Sequence, residues 1–302
     1  MKLRAYLLML FVVFVWGTTF VVIKNALQDA TPLAFNLARM TIAFLVLAVA
    51  YHRHWREINR HQLLAGAVVG FFLAAGYQFQ TAGLAHTTPA KSAFITGLVV
   101  VLVPLFSTVR AVRPPGAYRP HWNAYAGALL AFAGIVLLTV PAVGGGLLPD
   151  MGAVGVGDML TFGCAVAFAF HCLALGHASP RIGFQPLALL QIGFCALFMG
   201  LSTPLLEHPQ MHLTLRLAIS IGVGALLGTA AAFSIQSWAQ SILPPTHTAL
   251  ILTLEPVFAW LTSFALGERM GLRPASGAVL ILFGIAMAEL MPQPHPPTAH
   301  EL

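Results

Sequence analysis

The chain has 302 residues, of which 58% are hydrophobic and only 8% are Asp, Glu, Lys or Arg, against roughly a quarter in soluble domains. So few charges cannot cover a water-soluble globule, and three Cys cannot staple a secreted scaffold. The net charge of +6 comes from basic residues scattered through short loops. A basic stripe with stacking aromatics is missing, so nucleic acid is not an expected partner. The lipid bilayer is, and the expected class is an all-α polytopic membrane protein.

A spanning helix needs about 20 apolar residues, and ten continuous runs qualify. The first, 5–24, follows Met1-Lys2-Leu3-Arg4 and has no small-residue cleavage site after it. It is expected to remain as a span and not to be removed as a signal peptide. It carries Trp16, Thr19 and Lys24; Trp16, Phe20 and Lys24 share one face. Asp29-Ala30-Thr31-Pro32 leads into 32–51, with Asn36 and Arg39 on a common face. Runs 62–85, 88–109 and 122–141 follow. The first of these places Tyr77, Gln80 and Thr81 together. Gly144-Gly145-Gly146 lies in a connection near the midpoint. Beyond it come 157–177, 184–204, 214–241, 246–267 and 274–291. These hold His171 in the sixth run, Gln236, Gln240 and Trp238 in the eighth, and Glu255 with Pro256 near mid-depth in the ninth. The Pro-rich end from Pro292 cannot continue a helix and is expected to be disordered.

Lys and Arg concentrate in alternate loops of the first half, with Arg53, Arg56, Arg60, Arg110, Arg113 and Arg119 on the side of Lys2 and Arg4. That bias puts both termini in the cytoplasm. The sequence also repeats itself. Gly127-Ala128-Leu129 through Gly134-Ile135 matches Gly277-Ala278-Val279 through Gly284-Ile285, and Gln80, Pro89, Ala93 and Ile95 mirror Gln236, Pro245, Ala249 and Ile251. Pro104 matches Pro256 only at a different offset, which suggests one extra turn in the fourth helix. Two repeats of five spans each must enter from opposite sides, an arrangement that suits alternating access about a midplane site. The expected units are residues 1–142 and 154–291, joined by 143–153 and followed by the tail 292–302.

Trp16-Gly17-Thr18-Thr19-Phe20-Val21-Val22-Ile23-Lys24 resembles the first helix of EamA-type members of the drug/metabolite transporter superfamily. Pro32 with Arg39, Gly157-Asp158, Leu254-Glu255-Pro256-Val257, Leu266-Gly267-Glu268-Arg269 and Gly277 to Gly284 are similar to successive landmarks of that family. The resemblance spans nearly the whole chain. It implies ten transmembrane helices in two inverted five-helix EamA repeats and a central cavity. It also implies movement of small metabolites across the inner membrane, commonly export of amino acids or toxic compounds. The first repeat departs from the pattern by having Val109-Arg110-Ala111-Val112 where the second has Leu-Gly-Glu-Arg.

Ionisable groups within a bilayer need a partner or a role. Glu255 and His171 are candidates for proton coupling, since both can change charge. Arg39 could hold a substrate carboxylate or serve a structural pair. Trp16, Thr19, Lys24, Tyr77, Gln80, Gln236 and Trp238 are candidate cavity residues, with interhelical bonding as the alternative for each polar one. His208 and His212 have metal-like spacing but lie at a loop edge, and no metal or other cofactor is expected. There is no Gly-rich phosphate loop followed by Lys, so ATP is not expected. Gly155-Val156-Gly157-Asp158 fits the GxGD pattern of intramembrane proteases, but the other aspartates, Asp29 and Asp150, lie in loops. An enzyme is therefore not expected, and the main alternative to a transporter is a membrane-embedded binding or sensing protein.

Overall fold

The computed structural model describes residues 1–84, 86–87, 89–115, 120–140, 155–265 and 271–290. The glycine-rich connection, the Pro-rich tail and the Leu266-to-Arg269 motif of the sequence reading fall outside these residues. Among the described residues every extended element is helical, and one isolated antiparallel bridge joins Ala30 to Met211.

The first half contains α1 (Lys2–Ala26), α2 (Pro32–Ala50), α3 (Arg60–Leu84), α4 (Pro89–Thr96), α5 (Val99–Phe106) and α6 (Trp122–Thr139). The second contains α7 (Val156–Ala178), α8 (Phe184–Leu206), α9 (Leu215–Ala225), α10 (Ala232–Ala239), α11 (Pro245–Leu252), α12 (Glu255–Ala265) and α13 (Leu272–Leu290). Among the described residues, five helical stretches are long and apolar enough to cross a membrane. They are Pro32–Ala50, Arg60–Gly83, Val156–Ala178, Phe184–Leu206 and Leu215–Ala239.

Local chemistry sets the helix starts. Thr31 is extended, as a residue before proline must be, and Pro32 opens α2 at a position where no N–H is needed. The next two donors, the Leu33 and Ala34 amides, are met by the Glu207 carboxylate at 3.2 Å. A carboxylate there also complements the positive end of the helix dipole. α3 begins with a reciprocal capping box, in which Gln62 N donates to Asn59 Oδ1 and Asn59 N to Gln62 Oε1.

Three of the expected continuous runs are interrupted. Run 88–109 divides into α4 and α5 at Gly97-Leu98, and run 246–267 into α11 and α12 at Thr253-Leu254. The two breaks correspond: Leu98 N bonds Ile95 O at 3.1 Å and Leu254 N bonds Ile251 O at 3.0 Å. Each of these four positions lies 156 residues from its counterpart, as Pro89 does from Pro245 and Val99 from Glu255. The extra turn expected in the fourth helix is therefore not found. Pro104 sits inside α5 whereas Pro256 is the second residue of α12, so the two prolines are not structural counterparts. In run 214–241, a π-helical stretch, Leu226–Ala231, separates α9 from α10. There Thr229 Oγ1 donates to Gly224 O, five residues back.

Packing interleaves the halves. α1 lies against α9, α10 and α12, while α7 lies against α3, α4 and α5. α2 packs on α8, and α6 on α13. The α6–α13 contact is reciprocal. A Cβ at Gly127 would stand 2.5 Å from Gly284 O, and one at Gly284 2.6 Å from Gly127 O. Gly134 and Gly277 repeat that relation. Position 127 faces 284 while 134 faces 277, so the two helices run antiparallel with their backbones in contact, as small residues permit. Large apolar side chains such as Leu3, Leu7, Phe11 and Phe14 point outward, whereas Arg39, His171, Gln191, Gln236, Ser237 and Gln240 are buried. Apolar outside and polar within is the distribution a lipid solvent favours.

Candidate functional site

The polar interior begins between α2 and α3. Asn36 Nδ2 donates to Thr81 Oγ1 at 2.9 Å, and Thr81 Oγ1 donates to Tyr77 O at 2.8 Å. Asn36 lies one turn before Arg39, and Thr81 one turn after Tyr77. The first of these bonds joins the two helices at this level, and the second, within α3, orients the Thr81 hydroxyl to accept it. The Arg39 guanidinium carbon then lies over the Tyr77 ring, 4.7 Å from its centroid. Arg39 is buried, and its stem runs along Gly224 of α9, where a Cβ would come within 2.9 Å of Arg39 Cδ. Among the described residues its Nε and Nη2 have no hydrogen-bond partner. The Tyr77 ring meets Phe168 edge-on at 5.4 Å.

Glu255 opens α12 at the Thr253-Leu254 break, close against Gly17 of α1. It is half-buried and forms no ion pair with a described residue. Trp16 approaches from α1, stacking obliquely on Phe233 at 5.6 Å and donating its indole N–H to Gly228 O at 2.8 Å. Gly228 belongs to the π-helical stretch, where widened pairing leaves carbonyls for other donors.

The remaining sequence candidates go elsewhere. His171 Nε2 pairs with Gln191 Oε1 at 3.0 Å, Gln191 Nε2 donates to Ser237 Oγ at 2.8 Å, and Ser237 Oγ donates to Phe233 O. Because Ser237 spends its one proton on a carbonyl, Gln191 must donate to it. Gln191 Oε1 then accepts from His171, which places the imidazole proton on Nε2. This chain braces α7, α8 and α10. Gln236 bonds Gln240 at 3.3 Å, and Gln240 donates to Cys172 O, a second α7–α10 tie. Trp238 lies at the other end of the bundle, 5.7 Å from the Arg4 guanidinium. There it borders a cavity of about 560 Å³ together with Tyr51 and Ser234. Gln80 is half-buried on α3 beside Thr81. The side chains of Thr19 and Lys24 lie outside the described residues.

At the opposite end, the loop after α1 is clasped to the loop after α8 and the first turn of α9. Arg216 Nε and Nη2 donate to the two Asp29 carboxylate oxygens at 2.8 Å, and Thr214 Oγ1 adds a bond at 2.7 Å. Those donors hold the Asp29 carboxyl down at about 2. Thr31 N to Gln210 O and His212 N to Asp29 O complete the clasp. Sequence reading missed Gln191, Glu207 and the Asp29–Arg216 pair. A Gln two turns into the apolar run 184–204, beyond the Gln185 at its start, was the available signal for the first.

Asp158 of the GxGD segment accepts from Gly155 N and from Thr87 Oγ1, so it serves as a helix-start acceptor. Among the described residues, no group of three His, Cys, Asp or Glu is arranged to hold a metal ion.

The sequence matches the EamA-like transporter family over residues 3–140 and again over 155–290. It is 30% identical to an uncharacterized transporter of Archaeoglobus fulgidus over 96% of this chain and 87% of that protein. It is 24% identical to the uncharacterized transporter YvbV of Bacillus subtilis over 95% and 92% of the two chains. A solved crystal structure superposes with a TM-score of 0.77 at 19% identity, covering 96% of this chain and 98% of that one, which supports the fold. With its apolar helices, buried polar interior and two family matches in tandem, the chain belongs to the EamA-like transporter family and is a multi-pass membrane transporter.

Proposed function

We propose that the protein exports small amphipathic metabolites, amino acids or related toxic compounds, across the cytoplasmic membrane by alternating access. Its working form has ten spans in two inverted repeats, residues 1–142 and 154–291. α4 with α5, α9 with α10, and α11 with α12 each count as one span. The observation that carries the reading is the reciprocal α6–α13 contact. Exchanging Gly127 for Gly277 and Gly134 for Gly284 turns that contact into itself, with the helices antiparallel. An axis lying in the membrane plane has this property, and transporters with such an axis place their solute site near mid-depth between the repeats. The matched breaks at Gly97-Leu98 and Thr253-Leu254 support the same axis.

Both termini are cytoplasmic in this reading, so the Arg4–Trp238 end faces the cytoplasm and the Asp29–Arg216 clasp faces outward. The solute site lies around Arg39, Tyr77, Trp16 and Glu255. Glu255 carries proton coupling, because it stands at a helix break without an ion-pair partner among the described residues. His171 acts through the brace that it forms with Gln191. The test is net solute flux in proteoliposomes with and without a pH gradient. Binding without flux would leave a sensing protein as the better description.

A further inference from the structure

The chain contains two arginines whose local geometries can be compared directly. Arg216 uses one edge of its guanidinium, Nε with Nη2, to grip both oxygens of Asp29 at 2.8 Å. That two-pronged contact is the preferred way for arginine to hold a carboxylate. Arg39 has the same edge, Nε with Nη2, buried and unbonded. Its guanidinium carbon lies over the Tyr77 ring and its stem against Gly224, so the side chain is held while Nε and Nη2 stay without a partner among the described residues. A guanidinium in this setting stays charged, and a buried charge without a counter-charge is costly. Among the described residues no carboxylate pairs with it.

Arg273 also has Nε and Nη2 without partners, but its Nη1 already serves the Leu137 and Val140 carbonyls at the end of α6. Among the described residues the Arg39 guanidinium donates to no carbonyl. Tyr77, over whose ring it lies, packs with Trp16 against an apolar cluster that includes Met40, Leu73, Cys195 and Phe233. One fixed positive charge balances one negative charge. A doubly charged phosphate would call for further cations, and the apolar surroundings suit a hydrocarbon or aromatic body.

We infer that the Nε–Nη2 edge of Arg39, backed by the Tyr77 ring, binds the carboxylate of the transported solute, so that the substrate class is amphipathic monocarboxylates. This rests on the transporter reading, and its test separates the two. Purified full-length protein in detergent is titrated with phenylacetate, its neutral amide phenylacetamide and the cation phenethylamine. Phenylacetate binds saturably, and the other two bind at least about tenfold more weakly, because they cannot accept the paired charge-assisted bonds. Arg39→Lys keeps the charge but loses the fork and weakens phenylacetate about tenfold, while Arg39→Gln abolishes binding. Arg216→Gln leaves binding intact. Tyr77→Phe retains it and Tyr77→Leu weakens it, which keeps the test alive if Arg39→Gln does not fold.

Absence of saturable phenylacetate binding by the unaltered protein would overturn the assignment. So would equal binding of acid and amide, or unchanged binding in folded Arg39→Gln. A phospholipid that copurifies with the protein and is lost in Arg39→Lys, with no phenylacetate binding, would also overturn it by assigning the edge to a lipid phosphate. Proteoliposome flux is read separately. Phenethylamine or phenylacetamide flux without acid binding retains the transporter and rejects the carboxylate hook. Acid binding without any flux does the reverse.

Discussion

Gly134 and Gly277 stand so close that a Cβ on either would lie 2.6 Å from the other's carbonyl oxygen. Backbone cannot yield as a side-chain tip can. Gly134→Ala is therefore expected to cost about 1–3 kcal/mol through overpacking, and Gly277→Ala a similar amount. Gly222→Ala is the control, because nothing lies within 4 Å of its added methyl. Thermal melting in detergent measures all three. Equal melting temperatures for Gly134→Ala and Gly222→Ala would show that the α6–α13 seam is looser than described.

The Asp29–Arg216 clasp has a pH dependence whose sign follows from its chemistry. The folded carboxyl is held at about 2, below its ordinary 3.8, by bonds from Arg216 and Thr214. Its stabilising contribution is full above the ordinary value and is lost as pH falls through about 2. Asp29→Asn should remove that part of the acid sensitivity between roughly pH 4 and 2. Arg216→Ala should speed amide exchange at Thr31 and His212, the two backbone donors of the clasp. Exchange as slow as in the unaltered chain would mean that the charge pair does not hold the loops together.

Gln191 is the hinge pin of the His171–Gln191–Ser237 chain. Gln191→Leu keeps its bulk but leaves the His171 Nε2 proton without its acceptor. The expected loss is about 1–3 kcal/mol, the usual penalty for stranding a buried donor. Replacing His171 by Phe as well should recover part of it, since the stranded donor then disappears. A double-mutant cycle reads the coupling. Strict additivity would mean that the two side chains do not act as a unit.

For proton coupling, Glu255→Gln is the decisive variant. The amide is nearly the same shape but cannot ionise. Flux in the variant should no longer respond to an imposed pH gradient, while transport down a solute gradient persists. A transport-competent variant with unchanged pH dependence rejects Glu255 as the coupling group.

Periodicity and composition made much of the layout legible. Gly127 to Ile135 and Gly277 to Ile285 revealed the repeated seam, because backbone contact demands small residues at fixed spacing. The helix breaks were hidden. Gly97-Leu98 and Thr253-Leu254 lie within apolar runs that read as unbroken, and only their shared separation of 156 residues exposes them. The site was legible in part. Arg39 and Tyr77 stood out as polar groups in apolar runs, whereas Gln236 and Trp238, two residues apart, serve different contacts. The Asp29–Arg216 pair spans 187 positions, and such a distant pairing leaves no local pattern in a single sequence.

The π-helical stretch Leu226–Ala231 breaks the likeness between the halves, because α3, at the corresponding place, is a regular helix. A wide turn stores a surplus residue that a tighter ladder can absorb, so this segment can lengthen or shorten by re-pairing its carbonyls. The indole of Trp16 is tied to one of those carbonyls, that of Gly228. Any such slip would therefore tug on α1 directly, while α10 beyond it stays anchored to α7 through Gln240 and the Ser237–Gln191–His171 chain, so the give is confined to one flank of the bundle.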